Sequence, residues 1–207
     1  MAAGVLLAAG ESVRMGRPKP LLPWGDTTLV EYQVGEMLGA GLERVIVVLG
    51  DGWQDVKPHL TGPAVEVTVN EAYREGRAGS LRAAAACLLD EDEAVVILSV
   101  DQPRPRDLLA RLLAAHEASL PGQGAALITV PVHGGRRGHP AILAGTLIPE
   151  LRNVRDETLG LRGLIERHQA SLREVGFETP IVLLDINTPD EYRRAHELFF
   201  GWSPPAF

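Results

Sequence analysis

The sequence predicts an α/β fold built on a mostly parallel sheet, and two observations carry that expectation. Short runs rich in Val, Ile and Leu recur along the chain, and segments with helical patterning lie between several of them. Sheets of this kind bind ligands outside the carboxyl ends of their strands, so chemistry is to be sought where a strand runs into a loop.

In order, the strand candidates are Val5–Ala8, Arg44–Leu49, Val65–Val69, Ala94–Leu98, Ala125–Val130 and Ile181–Leu184. The first helix is expected over Thr28–Ala40, with apolar Leu29, Tyr32, Met37 and Leu38 and with Gly41 at its C′ position. Gly79–Leu89 contains Ala83–Ala86, strong helix formers, and Pro105–Ala118 sets Leu108, Leu109, Leu112 and Leu113 on one face. Thr188-Pro189 is a helix start signal for Pro189–Phe200, with proline at the first helical position. Between them, Val130–His133 and Ala141–Leu143 flank Gly134-Gly135-Arg136-Arg137-Gly138, which reads as an antiparallel hairpin or a loop over the sheet edge. The tail from Gly201 to Phe207, with Pro204-Pro205, reads as a surface strap or a frayed end.

Composition narrows the function classes. With 207 residues, 45% hydrophobic and 23% charged, the chain is expected to form a single domain over residues 1–207 with a sizeable core. A net charge of −7 argues against broad nucleic-acid binding, although a nucleotide site needs only a few local cations. The single cysteine, Cys87, forbids an internal disulfide, fits a reducing compartment and lies in an Ala/Leu segment that reads as core. No signal-like or membrane-spanning apolar run is present, and the expected location is cytoplasmic. The six histidines lack H-x₃-H or H-E-x-x-H spacing, no G-x-S-x-G elbow occurs, and Trp24, Trp53 and Trp202 are scattered along the chain.

The most informative stretch is Gly4 to Pro20. The apolar run Val5–Ala9 enters Gly10 and a loop holding Gly16, Arg14, Arg17 and Lys19. Glycines let backbone N–H groups approach phosphate oxygens and the cations neutralise their charge, so this loop suits a polyphosphate. It is neither a Walker loop, since Lys19 sits between Pro18 and Pro20, nor the dinucleotide G-x-G-x-x-G. Asp101 follows the strand Ala94–Leu98 and precedes Gln102-Pro103, which puts a carboxylate at a strand's carboxyl end. Mg²⁺ takes only one or two protein carboxylates, so one such Asp suffices; the competing reading is a turn Asp bonding its own backbone. In Asp185-Ile186-Asn187-Thr188-Pro189-Asp190, Thr188 serves as an N-cap and Asp190 complements the helix dipole. Gly79 and Ser80 start a helix, with Ser80 as its cap, and His139 alone reads as a turn histidine.

The run Leu7-Ala8-Ala9-Gly10 through Arg14, Met15, Gly16 and Lys19 resembles the signature loop of the MobA/MocA-like nucleotidyltransferases. The likeness extends in order and spacing from Gly4 to about Leu198. It implies a Rossmann-like three-layer fold of the nucleotide-diphospho-sugar transferase type. It also implies transfer of a nucleotide from an NTP to the phosphate of molybdopterin or the molybdenum cofactor, with pyrophosphate released. On that resemblance, Leu7, Ala8, Ala9, Gly10, Gly79 and Ser80 bind the nucleotide, and Arg14 and Lys19 contact its phosphates. Asp101 and Asn187 hold Mg²⁺, Asp101 acting with Arg14 and Lys19 as the catalytic set, and the role of Asp185 stays open. His139 and Pro140, within a G-x-P segment, and Arg162 border the acceptor. Residues Asp156 to Arg162 depart from the family's usual G-D-x-G-A-R, which leaves the acceptor's identity open. Ala9 matches the CTP-using branch, where the GTP-using branch more often carries glycine. CTP is therefore the favoured donor, with no nucleic-acid or membrane partner, and a recipient molybdoenzyme is an open further partner. A GTP-using guanylyltransferase, a nucleotide-binding oxidoreductase and a non-catalytic pterin-binding chaperone stand as alternatives.

Overall fold

The structure is a computed structural model that describes residues 1–118 and 126–204. The elements are β1 (Ala2–Ala8), β2 (Pro23–Trp24), β3 (Thr27–Thr28), α1 (Leu29–Gly39), β4 (Arg44–Leu49), α2 (Trp53–Val56), β5 (Val65–Val69), α3 (Arg77–Cys87), β6 (Ala94–Ser99) and α4 (Arg106–Glu117). They continue as β7 (Ile128–His133), β8 (Arg136–Arg137), β9 (Ala141–Ala144), α5 (Ile148–Leu151), α6 (Gly160–Arg167), β10 (Leu172–Gly176) and α7 (Pro189–Phe200). The main sheet runs β10-β7-β9-β6-β1-β4-β5, with β8 paired to β7. β1 pairs in parallel with β4 and β6, β4 with β5, and β10 with β7, while β9 runs antiparallel between β6 and β7. The sheet is thus mixed and mostly parallel, as the alternating pattern predicts.

Side-chain alternation along these strands feeds two cores, one on each face of the sheet. Leu6, Val45, Val47, Val96 and Leu98 pack with Leu29, Val34 and Met37 of α1, Leu112 of α4 and Tyr192 of α7. Val5, Ile46, Val48, Val95 and Ile97 pack with Ala78, Leu81 and Ala84 of α3, Leu151 of α5 and Leu164 of α6. The result is three layers. The central strands are buried on both faces, which is why they read as continuous apolar runs.

Local chemistry sets the helix ends. Thr28 and Glu31 form a capping box on α1, and the Thr188 side chain accepts from the Glu191 amide to start α7. Tyr192 of α7 donates its hydroxyl to the Pro23 carbonyl, which ties that helix to the short β2–β3 hairpin. Trp24 and Trp202, far apart in sequence, meet through His196, whose ring centroid lies 5.5 Å from one and 4.4 Å from the other. The start of the tail is therefore packed against α7; its last three residues lie outside the described ones.

Three expectations are corrected. The apolar run Ile181–Leu184 forms a 3₁₀ turn over Pro180–Leu183, because its carbonyls bond to Arg104 and to the His139 amide rather than to a strand. The strand expected over Ala125–Val130 runs over Ile128–His133, with Ala125 outside the described residues. Ser80 does not cap α3, which begins at Arg77 after Gly76. The sequence expectations omit β10 and α6; β10 is a partly exposed edge strand carrying Arg173 and Glu174, whereas α6 places Leu161, Leu164 and Ile165 at helical spacing against the core. Cys87 is half-buried, its thiol raised by burial first and by Glu66 second.

His116 of α4 is fully buried, with Nδ1 2.8 Å from Thr129 Oγ1 on β7. Burial, with a smaller contribution from Arg173, pushes its pKa down to about 4. The unfolded chain therefore takes up this proton first as pH falls. Stability should drop as pH falls from about 6.5 to about 4, by up to ~3 kcal/mol from this residue. Urea unfolding of the parent and His116→Gln across that window checks this; the parent should show the steeper loss.

Candidate active site

The carboxyl ends of β1 and β6 meet the loop that enters α7, and the three segments bring four polar side chains together. After β1, the chain passes Ala9 and Gly10, takes a left-handed turn at Ser12 (φ 55°), and turns again at Gly16 (φ 67°). Buried Met15 anchors this loop to the core, and Ser12 Oγ accepts the Lys19 amide at 2.9 Å. Gly50, at the end of β4, permits the crossing: a Cβ there would lie 2.5 Å from the Ala9 carbonyl oxygen. The Lys19 ammonium then sits 2.8 Å from Asp101 Oδ2 and 3.0 Å from Asn187 Oδ1. Arg14 donates to the same Asn187 oxygen at 3.3 Å.

Buried polar groups behind the site hold Asp101 and Asn187 in register. Gln33, on α1, donates from Nε2 to the Gln102 carbonyl at 2.8 Å and accepts the Arg104 amide at 3.2 Å, fixing the turn after β6. The Ile186 amide donates to the Asp101 carbonyl at 2.8 Å, and Gln102 donates to Asp185 Oδ1 at 2.7 Å. Asp185 thus braces the turn from the second chain segment. Arg104 is fully buried. Its guanidinium donates to the carbonyls of His139 (2.9 Å), Pro103 (2.9 Å), Val182 (2.9 Å) and Leu184 (3.1 Å). Burial pushes its pKa down to about 9 against the pull of Asp185 and Asp101, which leaves it cationic at neutral pH. Burial, then Arg104, likewise lowers the His139 pKa, so that imidazole is neutral near pH 7.

Two cavities adjoin at this point. The first, about 230 Å³, is lined by Leu7, Ala9, Gly10, Arg14, Lys19 and Ser80, among others. The second, about 470 Å³, is lined by His139, Asp156, Leu159, Arg162, Ile165 and Asp185, among others. Asp101 and Asn187 border both. Of the remaining sequence candidates, Ala8 turns into the core on the opposite face, and Pro140 follows His139 through a cis peptide without lining either cavity. Gly79 also stays out of the walls: a Cβ there would lie 3.1 Å from the Asn70 amide nitrogen, and Asn70 in turn donates to Ser80 Oγ at 3.0 Å. Asp156 packs on the start of α3 and accepts the Ala78 amide at 3.2 Å, replacing the missing side-chain cap. Arg162 is exposed and paired with Glu166 at 2.8 Å.

Gln33, Asn70, Gln102 and Arg104 were not legible as site residues. The sequence offers only one hint for Arg104, its place between Pro103 and Pro105 right after the Asp101 turn.

The residues present fit a divalent cation. The Lys19 ammonium lies between a carboxylate oxygen and an amide oxygen, so a positive charge already sits between the two donors. No cluster of three or more His, Cys, Asp or Glu that could hold a metal occurs among the described residues. One carboxylate and one amide oxygen match the sparse protein coordination of Mg²⁺ or Mn²⁺, which fill their shells with water and phosphate oxygens.

The sequence profile of the MobA-like NTP transferase domain matches residues 4–175. The chain belongs to the MobA-like NTP transferase family. It is 34% identical over 161 residues to nicotine blue oxidoreductase of Paenarthrobacter nicotinovorans, covering 77% of this chain and 78% of that one. It is 26% identical to the molybdenum cofactor cytidylyltransferase of Escherichia coli K12, covering 94% and 95%, and 34% identical to the molybdenum cofactor guanylyltransferase of Rhizobium leguminosarum bv. trifolii, covering 93% and 90%. The crystal structure of Rv0371c from Mycobacterium tuberculosis H37Rv matches with a TM-score of 0.80 at 30% identity over 95% of this chain and 97% of that one; the same protein has also been solved as a manganese complex. The MobA-like assignment agrees with the three-layer arrangement and with the mixed sheet.

Arg104→Met removes the donors to the Pro103, His139 and Leu184 carbonyls and one of the two donors to the Val182 carbonyl, and stability should fall by about 3 kcal/mol or more. Arg104→Lys should recover part of that loss. Urea unfolding checks both, and an unchanged midpoint for Arg104→Met would remove the clamp from the account.

Proposed function

We propose that this MobA-like chain transfers CMP from CTP to the phosphate of molybdopterin or its molybdenum-bound form and releases pyrophosphate. The observation that carries the reading is the meeting of two cavities at Asp101 and Asn187, with Arg14 and Lys19 on the side of the first. A donor in the first cavity and an acceptor in the second would meet at that boundary, with the strand-end groups beside the α-phosphorus.

The attacking group is a phosphate, already ionised near pH 7, so the site needs no general base. Its work is positioning and charge neutralisation. Backbone groups around Ala9 and Gly10 would approach the ribose and triphosphate, and Ser80, held by Asn70, would face the base. Arg14 and Lys19 would stabilise charge on the departing pyrophosphate, with Lys19 turning from Asp101 toward the phosphates. Asp101 and Asn187 would hold the divalent cation, which when bound supplies Lewis-acid stabilisation of phosphate oxygens. In the second cavity, His139 and Arg162, which line it, would stand beside the acceptor.

The donor preference rests on Ala9, which is nearly buried in the first cavity's wall. Its methyl narrows the space beside a base and so favours one ring over two. CTP should exceed GTP by at least about tenfold in kcat/KM, and Ala9→Gly should narrow that gap without reversing it. A second reading takes its support from the 34% identity to nicotine blue oxidoreductase: the same cleft would hold a nucleotide cofactor for electron transfer.

Pyrophosphate release from each of the four NTPs, with a divalent cation and with or without pterin acceptor, separates the readings. The transferase reading expects acceptor-dependent release, greatest with CTP, and about a hundredfold or greater loss in Asp101→Asn, equivalent to roughly 3 kcal/mol of transition-state stabilisation. Oxidation of a reduced nicotinamide cofactor without pyrophosphate release would favour the second reading. Retention of pterin with neither activity would point to the non-catalytic chaperone.

A further inference from the structure

The wall shared by the two cavities contains Leu7, Arg77, Ser99, Asp101 and Asn187, so Arg77 is the one arginine or lysine that lines both. The other arginines and lysines lining them have partners. Lys19 is paired with Asp101, Arg14 bonds Asn187, and Arg162 is paired with Glu166. Arg77 makes no hydrogen bond or ion pair with any described residue, and its side chain is exposed.

The backbone accounts for this freedom. Arg77 is the first residue of α3, preceded by Gly76 at φ 129°. Asp156 packs against Gly76 and accepts the next amide, that of Ala78. Asp156 thus meets the helix start through that amide and makes no ion pair with Arg77. The helix also presents its positive end at the same place.

The second cavity has an anion problem. Asp101, Asp156 and Asp185 all line it, and Arg162 is already matched by Glu166. A phosphate-bearing acceptor entering it would face Asp156 and Asp185, Asp101 being paired with Lys19, and then the α-phosphoryl group of the donor. A guanidinium at the boundary can grip two oxygens of one acceptor phosphate, because its N–H groups form a planar fork.

We infer that Arg77 receives the phosphate of the acceptor where the two cavities meet and holds it against the α-phosphorus; the acceptor is a phosphomonoester. This rests on the transferase reading. In the step itself, an oxygen of the acceptor phosphate forms a bond to the α-phosphorus, the α–β bridging bond breaks, and pyrophosphate leaves with that electron pair. No oxidation occurs, and Arg77 stays protonated throughout.

The test uses phenyl phosphate as the probe, followed by NMR through the Arg77 Nε–H resonance, which is identified by its loss in Arg77→Gln. The resonance should shift on titration. Arg77→Gln should weaken phenyl phosphate binding about tenfold or more, and Arg77→Lys by less, while CTP affinity stays within about threefold. In turnover, Arg77→Gln should raise the KM for pterin acceptor more than it lowers kcat. Equal phenyl phosphate binding by Arg77→Gln and the parent, or none by the parent, overturns the inference and leaves the transferase reading standing. A parent that binds phenyl phosphate through Arg77 yet releases no pyrophosphate from any NTP sustains the anion site and removes the transferase reading.

Discussion

Arg104 is the interaction on which the site depends, although it reaches no solvent. Three chain segments far apart in sequence must meet: the turn after β6, the His139–Pro140 bend and the 3₁₀ turn before α7. Each presents backbone carbonyls that no strand or helix satisfies, and one guanidinium satisfies the carbonyls of Pro103, His139, Val182 and Leu184. A lysine has fewer donors and no planar fork, so it cannot replace this geometry in full. Gly138 belongs to the same arrangement, because its Cα sits against the Val182 carbonyl where a side chain would collide. With these segments locked, the Ile186 amide reaches the Asp101 carbonyl and Asn187 falls opposite Asp101.

In front of that clamp the charges are balanced within the chain. Lys19 is mostly buried and sits between Asp101 and Asn187, a cation in the position that the proposed reading gives to a metal. This spares Asp101 from being a desolvated, unpaired carboxylate when the cleft is empty. It also means that Lys19 and a divalent cation compete for the same two oxygens. On the proposed reading, a metal–triphosphate resolves the competition by offering Lys19 phosphate oxygens as new partners.

Much of the fold was legible because its signals are local. β1, β4, β5 and β6 are buried or half-buried runs with no competing pattern, and α7 carries its own cap and proline. β10 was not legible, since an exposed edge strand with Arg173 and Glu174 has no apolar alternation to read. Ile181–Leu184 misled for the opposite reason: it is apolar like a strand, but its carbonyls are claimed by Arg104 from 78 to 80 residues away. At the site, Asp101 and the first loop stood out through position and composition, whereas Asn187 drew attention only through family resemblance. Arg104 and Gln33 carry no local mark of their burial, because only the assembled carbonyls around them define their role.

On the proposed reading, Asp101 and Asn187 form a divalent-cation site whose oxygens Lys19 holds in the nucleotide-free protein. Mn²⁺ titration of the nucleotide-free protein, followed by water-proton relaxation, tests it most directly. Lys19→Met removes the competing ammonium and should bind Mn²⁺ about tenfold more tightly than the parent, while Asp101→Asn should bind it far more weakly. Mn²⁺ binding that is unchanged or weaker in Lys19→Met, or intact in Asp101→Asn, would contradict the account.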